Sequence, residues 1–180
     1  MTYNVYNKWD KLETVMIGSC HPLEFYDGIK EDKIRDPLLR ITEETLQELD
    51  YFKSVLKDFG CEVLQAPTEY NRIDTWKDNE SGAIARSSLQ PRDFQLVVGD
   101  KCAISYLDNM GIIDTLKNYN AKDLIIDPQA MKAIMGNPDP NHALWGAPSC
   151  TVVGNRIYID NQEFTPENIK WFKSKFPDFE

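Results

Sequence analysis

The sequence has no long hydrophobic run. Nowhere does it approach the roughly 18 to 20 consecutive apolar residues that a transmembrane helix needs. The first residues, MTYNVYNKWDKLE, are polar and lack the apolar centre of a secretory signal peptide. We therefore expect no membrane span and a cytoplasmic location.

Positive charge is also in short supply. The chain has 20 Lys and Arg against 29 Asp and Glu, which gives a net charge of -9. This balance argues against a surface for nucleic acid or anionic membrane, because both attract basic proteins. It would suit a cationic small ligand, although many acidic chains are simply soluble.

Paired cysteines are missing as well. The four cysteines, Cys20, Cys61, Cys102 and Cys150, are far apart and form no CxxC pair. Zinc sites usually need such close pairs, so we expect no metal site and no cofactor. We expect four reduced thiols, as is usual in a cytosol.

What is present fits one α/β domain over residues 1–180, with 42% apolar and 27% charged residues. TVMIG at 14–18 and CEVLQAP at 61–67 read as strands. Between them, an apolar stripe predicts a helix over 42–59, capped by Thr42 and ended by Gly60. The polar stretches 21–40 and 68–90 predict long loops, and residues 129–148 predict another.

Two segments of the chain resemble each other. LVVGDKCAIS at 96–105 and TVVGNRIYID at 151–160 both place a Gly-Asp or Gly-Asn turn between two strand patterns, which is typical of hairpins. A helix pattern follows each: MGIIDTLKNYN in the first case, and a helix opened by Thr165-Pro166-Glu167 in the second. The chain thus holds about two and a half ββαβ modules, near 1–67, 91–128 and 149–180. Such repeats favour a radial or stacked architecture, the alternative being chance likeness among short strands.

Pro91-Arg92-Asp93 stands immediately before the first of these hairpins. Strand ends often carry ligand-binding groups, because the strand fixes them while the loop exposes them. A plain surface ion pair between Arg92 and Asp93 is the alternative interpretation.

Three segments, in their order and spacing, resemble the N-terminal portion of amidinotransferases and related guanidino-modifying enzymes, the pentein family. They are YNKWDKLETVMIG at 6–18, QPRDFQLVVGD at 90–100 and CTVVGNRIYIDNQEFTPENIKWFKSKFP at 150–177. The resemblance implies a five-bladed α/β propeller of ββαβ modules around a substrate channel. We therefore expect this chain to form a partial, pentein-like propeller.

The resemblance also implies a chemistry. In such enzymes a carboxylate holds the planar guanidinium, a thiolate attacks its carbon, and a histidine moves protons for the leaving amine. It gives Asp93 the guanidinium contact and Arg92 a supporting role in the same loop. Trp145 and Ser149 are further candidates for substrate contact.

Other parts of that machinery have no counterpart in the sequence. Gly146 and Ser149 stand where the family carries acids. His21 and His142 read as loop histidines, with a rearranged role for His142 left open. No cysteine follows Cys150, which reads as a packing residue.

We therefore expect an amidinotransferase-like protein that is not catalytic as an isolated chain. A second polypeptide or another copy of the chain would cover its open edge, and a partner would supply the Cys and His groups. The alternative is a non-catalytic module that binds a guanidino ligand or another protein. The sequence does not specify the guanidino compound.

Overall fold

The computed structural model describes residues 3–67, 87–105, 110–137 and 139–180. Apart from residues 87–90, the long loop predicted over 68–90 lies outside the described residues. The chain divides into two compact units. One comprises Leu12–Pro91 and Asp108–Thr115, and the other Met1–Lys11, Arg92–Leu107 and Leu116–Glu180.

The unit containing residues 12–91 is built on a β-α-β segment. Strand β1 (Thr14–Ile17) and strand β2 (Glu62–Gln65) are parallel, with Thr14 opposite Glu62, and helix α1 (Asp32–Asp58) connects them. Both strands are where the sequence predicts them. A short 3-10 helix, Leu23–Tyr26, precedes α1. Ile17, Leu56 and Cys61 form a small apolar cluster in this unit.

The predicted loop over 21–40 is wrong, because α1 begins at Asp32 and contains Pro37. Proline removes the hydrogen bond to the carbonyl four residues earlier. Here that carbonyl belongs to Lys33, an exposed residue in the first turns of the helix, where water can replace the bond. The sequence pattern hid the helix because proline usually marks its boundary.

Thr42 therefore does not cap α1. It lies inside the helix, is buried, and donates its hydroxyl to the Tyr26 hydroxyl at 3.3 Å. The predicted end of the helix is confirmed: Gly60 adopts a φ of 83° and its N–H bonds the Lys57 carbonyl at 2.8 Å. A positive φ of this kind is readily adopted only by glycine.

The other unit contains two β-hairpins. Hairpin 1 consists of β3 (Gln95–Val98) and β4 (Lys101–Ile104), and β5 (Leu124–Ile126) is parallel to β4. Helix α2 (Met110–Asn120) connects β4 to β5, and the division between the two units falls within it, after Thr115. Helix α3 (Pro128–Ile134) follows. Hairpin 2 consists of β6 (Cys150–Val153) and β7 (Arg156–Ile159), and helix α4 (Pro166–Lys175) follows it.

The two hairpins have the same register, which confirms the internal repeat at this level. Gln95 pairs with Ile104 and Cys150 with Ile159, so both positions shift by 55 residues (150 − 95 and 159 − 104). Their turns also match, since Gly99 and Gly154 have φ angles of 55° and 60°. A 3-10 turn precedes each hairpin, at Pro91–Asp93 and Ala147–Ser149.

Helix α3 corrects the expectation of a loop over 129–148. Asp127 is its N-cap, accepting a hydrogen bond from the Gln129 N–H, and Pro128 takes the first helical position. The same chemistry opens α4 as predicted, where Thr165 caps the helix and forms a capping box with Asn168. The Asp-Pro signal was present in the sequence but stood among turn-forming residues.

One aromatic core holds this unit together. Trp145 is 0% exposed and packs with its ring centroid 4.9 Å from that of Phe172 and 6.0 Å from that of Phe164. Both hairpins contribute apolar residues to the same cluster: Leu96, Val98, Ala103, Cys150 and Val152. The two hairpins are therefore packed side by side over a shared core.

The strands form three separate small sheets, of two, three and two strands. Among the described strands no sheet closes on itself. The structure is thus a mixed α/β fold with short sheets and helices. Of the helices it describes, none combines the length and the apolar composition needed to cross a bilayer.

Candidate functional site

The N-terminal segment pairs with the turns of both hairpins. Val5 exchanges two backbone hydrogen bonds with Gly99, at 3.0 and 2.8 Å. Two residues on, Asn7 bridges to Val153, and the Gly154 N–H donates to the Tyr6 carbonyl and to Asn7 Oδ1, each at 2.9 Å. Both turns are therefore bonded to neighbouring residues of one segment, and both hairpins contribute to one core.

We call those opposite ends the open ends. Each is closed by one backbone bond, from Ser105 N–H to the Phe94 carbonyl at 3.2 Å in hairpin 1, and from Asp160 N–H to the Ser149 carbonyl at 2.9 Å in hairpin 2. These two bonds again occupy equivalent positions of the repeat. Side chains that flank the two open ends therefore occupy equivalent positions along the two hairpins.

Asp93 stands at the open end of hairpin 1. The 3-10 turn Pro91–Asp93 delivers it, with Pro91 buried and Asp93 half-buried. Within the described part of the chain, no hydrogen bond or ion pair engages its carboxylate. A carboxylate held at a strand end without an internal partner is free to accept hydrogen bonds from a ligand.

Arg92 does not form an ion pair with Asp93 among the residues that the structure describes. Its side chain is exposed, and its positive charge acts instead on the Cys150 thiol of hairpin 2, where it lowers the pKa. Arg92 thus lies at the open ends, near both hairpins.

A second carboxylate comes to the open end of hairpin 2. Glu163 Oε2 accepts a hydrogen bond from the Ser149 hydroxyl at 2.5 Å and one from the Gly146 N–H at 3.3 Å. Ser149, a predicted substrate contact, therefore holds an acid at this end. Nothing in the linear pattern marks Glu163, since it lies in a polar turn after β7 and reaches the site only through the fold.

A buried hydroxyl also belongs to the open end of hairpin 1. Ser105 is 0% exposed, and its Oγ has no hydrogen-bond partner among the described residues. Unpaired buried polar groups are rare in native proteins and often mark functional sites.

The thiols at this core are not activated. Burial raises the pKa of Cys102 to about 12. Burial, and then the negative charge of Glu163, raises the pKa of Cys150 to about 12, while the positive charges of Arg92 and Lys8 act in the opposite direction. A nucleophilic cysteine needs a lowered pKa, so neither thiol has the character of a nucleophile.

Asp127 is the centre of a buried polar network that sequence reasoning missed. It is 1% exposed, and its Oδ2 accepts from Trp145 Nε1 at 2.8 Å and lies 3.0 Å from His142 Nε2. Its Oδ1 caps α3 through the Gln129 N–H at 2.8 Å. The Asp127 carboxylate thus orients His142. The sequence, which indicated an ordinary loop histidine, did not predict this contact.

The remaining candidate residues, Trp145 and His21, are packed in the protein interior. Trp145 is completely enclosed by the aromatic core, so its surface is not open to a ligand, and among the described residues its indole N–H bonds only Asp127. His21 belongs to the other unit, where it is buried and stacks on Phe25 with ring centroids 3.8 Å apart. Within the described residues, no group of three or more His, Cys, Asp or Glu side chains could hold a metal ion.

Solved structures that are similar to this chain include two amidinotransferases. The first is SxtG, an amidinotransferase from Microseira wollei in the saxitoxin biosynthetic pathway, with a TM-score of 0.65 and 18% identity over 99% of this chain. The second is the inosamine-phosphate amidinotransferase StrB1 from Streptomyces griseus, with a TM-score of 0.64 and 17% identity over 96% of this chain.

The chain has an amidinotransferase-like fold. At these identities the likeness concerns the fold alone. The amidinotransferase-like chain spans 61% of the length of SxtG and 59% of that of StrB1. No protein-family model matches the sequence, and no curated protein matches it.

We expect Asp127→Ala to destabilise the protein by about 3 kcal/mol. The change removes a helix cap, worth ~1 kcal/mol, and leaves the buried Trp145 N–H unpaired, worth ~1 to 3 kcal/mol. Urea denaturation, followed by tryptophan fluorescence, measures the decrease in the free energy of unfolding. Asp178→Ala is the control, because Asp178 is exposed. A loss for Asp127→Ala no larger than for the control would contradict the structural role of the network.

We expect Cys102 and Cys150 to resist alkylation in the folded protein at pH 8, because their raised pKa values leave almost no thiolate. Cys20 is only half-buried and should react first, although burial raises its pKa too. Iodoacetamide labelling with peptide mass spectrometry resolves the four sites, and labelling in guanidinium chloride gives the unfolded reference. Rapid labelling of native Cys150 would reveal a nucleophile that this structure does not predict.

Proposed function

We propose that this chain binds a guanidino compound at the open ends of its two hairpins, with Asp93 as the main contact. The observation that carries the proposal is the half-buried Asp93 carboxylate, which has no partner within the described part of the chain. Arg92 supports the loop that presents it. The amidinotransferase-like fold agrees with such a ligand, because the two neighbours are named as amidinotransferases.

The physical basis is the match between a carboxylate and a guanidinium. The two oxygens of a carboxylate accept two parallel N–H bonds from the planar cation, which fixes its position and its plane. The net charge of -9 also favours the approach of a cation over that of an anion.

We propose further that the isolated chain does not turn its ligand over. Amidino transfer needs a thiolate that bonds to the guanidinium carbon and an acid that protonates the leaving amine. Cys102 and Cys150 have raised pKa values and are buried, so they do not suit the first role. A partner would supply the thiol and the histidine and would complete what we regard as a partial, pentein-like α/β propeller.

The exposed face of α1 supports the existence of such a partner, or a second role as a protein-binding module. Ile41, Phe52 and Phe59 are 58%, 50% and 81% exposed on one side of this helix. Together with Ile34 they follow steps of seven and eleven residues, so they align along the helix. Aligned exposed apolar residues of this size commonly mark an interface. Self-association would cover the same face.

A cytoplasmic setting is part of the proposal. All four cysteines are free, which fits a reducing compartment.

We expect Asp93→Asn to weaken arginine binding about 10- to 100-fold. A hydrogen bond to a charged group is worth ~1.5 to 3 kcal/mol, and 1.36 kcal/mol corresponds to a tenfold change. Isothermal titration calorimetry on the full chain measures the affinity. Asp100→Asn removes the same charge at the exposed turn of hairpin 1 and should leave it unchanged. Equal affinities for the two variants, or no binding by the wild type, would refute the guanidinium site.

We expect the mass of the chain to rise with concentration, because the apolar face of α1 favours association. Light scattering after size-exclusion chromatography measures this directly. Phe52→Ser should shift the distribution towards monomer, whereas Tyr51→Ser, on a different side of the same helix and 72% exposed, should not. A wild type that stays monomeric at all concentrations would rule out self-association.

A further inference from the structure

We propose that two copies of this chain associate through helix α1, which pairs antiparallel with the α1 of the second copy around a two-fold axis between Thr45 and Glu48. The exposed apolar face of α1 is thereby assigned to one occupant, a second copy, in a defined register. The proposal goes beyond the guanidino site and does not depend on it, because α1 and Asp93 belong to different units of the chain.

A seven-residue repeat runs along α1. Its members follow alternating steps of four and three residues, the spacing of a coiled-coil seam: Ile34, Leu38, Ile41, Thr45, Glu48, Phe52, Val55 and Phe59. We call these eight residues the α1 seam. Every member is exposed or half-buried. Six members are apolar, and the two polar ones, Thr45 and Glu48, are adjacent at the middle of the seam.

The α1 seam lies beside the side of the helix that packs on its own unit. Thr42 and Leu56 are the buried residues of α1, and Leu56 packs with Ile17 and Cys61. The side farthest from the seam carries exposed charged residues at every seventh position: Asp36, Glu43, Asp50 and Lys57. The seam is therefore an apolar strip that its own unit leaves exposed, between a packed side and a charged side.

The seam matches itself when one copy of the helix is reversed. From the axis outwards, the layers of the antiparallel pair are Thr45 with Glu48, Ile41 with Phe52, Leu38 with Val55, and Ile34 with Phe59. All four pairs are centred on the same point of the helix, so one two-fold axis relates them. A two-fold interface requires this self-complementarity, because both copies present the same surface. A binding site for an unrelated partner does not require it.

The polar layer at the centre sets the register. There the Thr45 hydroxyl of one copy faces the Glu48 carboxylate of the other, and a hydroxyl can donate to a carboxylate. Sliding one helix by seven residues would instead place Glu48 opposite Leu38 or Phe52, where a buried carboxylate has no hydrogen-bond donor. A single polar layer of this kind selects one register at a cost in stability.

The seam is large enough for a dimer of modest affinity. Phe52 and Phe59 are 50% and 81% exposed. With about 200 Å² for an aromatic side chain, these two residues alone offer roughly 260 Å² per copy. That is about a third of the ~800 Å² per partner in a standard interface. The net charge of -9 on each copy opposes association, so salt should strengthen it by screening.

Sedimentation equilibrium of the full chain tests the seam. Glu48→Leu places an apolar side chain at the centre of each copy and should lower the dimer dissociation constant at least about tenfold. Glu43→Leu makes the same change on the far side of α1 and is the matched control, which should leave that constant unchanged. High salt should tighten the wild-type dimer. Far-UV circular dichroism checks that each variant is folded.

Disulfide cross-linking tests the antiparallel register. The background is Cys20→Ser, because Cys20 is the one native thiol that is not buried. Under mild oxidation, a mixture of the Ile41→Cys and Phe52→Cys proteins should give a mixed disulfide dimer. Neither protein alone should cross-link, because the two copies of residue 41, or of residue 52, lie about 16 Å apart along the helices, beyond the ~7 Å between Cα atoms that a disulfide spans.

The contradicting results are equally specific. If the wild type and Glu48→Leu both stay monomeric at the highest soluble concentration, the proposal is refuted. A Glu48→Leu dimer no tighter than that of Glu43→Leu would exclude Glu48 from the interface. Cross-linking of Ile41→Cys with itself would show parallel pairing and overturn the two-fold arrangement. A dimer that salt weakens would be held by opposite charges and not by the seam. No arm uses a guanidino ligand, so the Asp93 site stands or falls separately.

Discussion

The pairing of the N-terminal segment with both hairpin turns is the constraint on which the unit with the candidate site depends. Val5 is hydrogen-bonded to Gly99 in the turn of hairpin 1, and Tyr6 and Asn7 are hydrogen-bonded to Gly154 in the turn of hairpin 2. Two turns that are far apart in sequence are therefore bonded to neighbouring residues of one segment. The shared aromatic core around Trp145 then packs the hairpins against each other. The hairpins are thus packed over one core, with Asp93 at the open end of one and the Ser149–Glu163 pair at the open end of the other.

The electrostatics of this region follow from the same arrangement. Glu163 and Arg92 come from different hairpins, yet both act on the Cys150 thiol, whose raised pKa reflects burial first and Glu163 second. The region therefore combines an anchored acid, Glu163, with an unreactive thiol. That combination suits holding a cation better than attacking it, and it agrees with the proposal that a partner would have to bring the nucleophile.

The sequence predicted the hairpins and helices whose positions depend on local residue patterns. The Gly-Asp and Gly-Asn turns predicted both hairpins, and Thr165-Pro166 predicted α4. Pro37 hid the first part of α1, and the turn-forming residues around Asp127-Pro128 hid α3. The resemblance to amidinotransferases is confirmed at the level of fold.

The site was harder to predict, because its members meet only in three dimensions. Asp93 stands beside a strand and can be singled out from the sequence. Glu163 reaches Gly146 across a whole hairpin, and Asp127 joins His142 and Trp145 across α3. No spacing rule connects such positions. The substrate contact predicted for Trp145 is replaced by a role in the core, since its side chain is fully enclosed.

The most direct test of the account is a crystal structure of the protein with methylguanidinium bound. We expect the cation at the open end of hairpin 1, with N–H groups within hydrogen-bonding distance of the Asp93 carboxylate. A cation bound away from Asp93 would contradict this site.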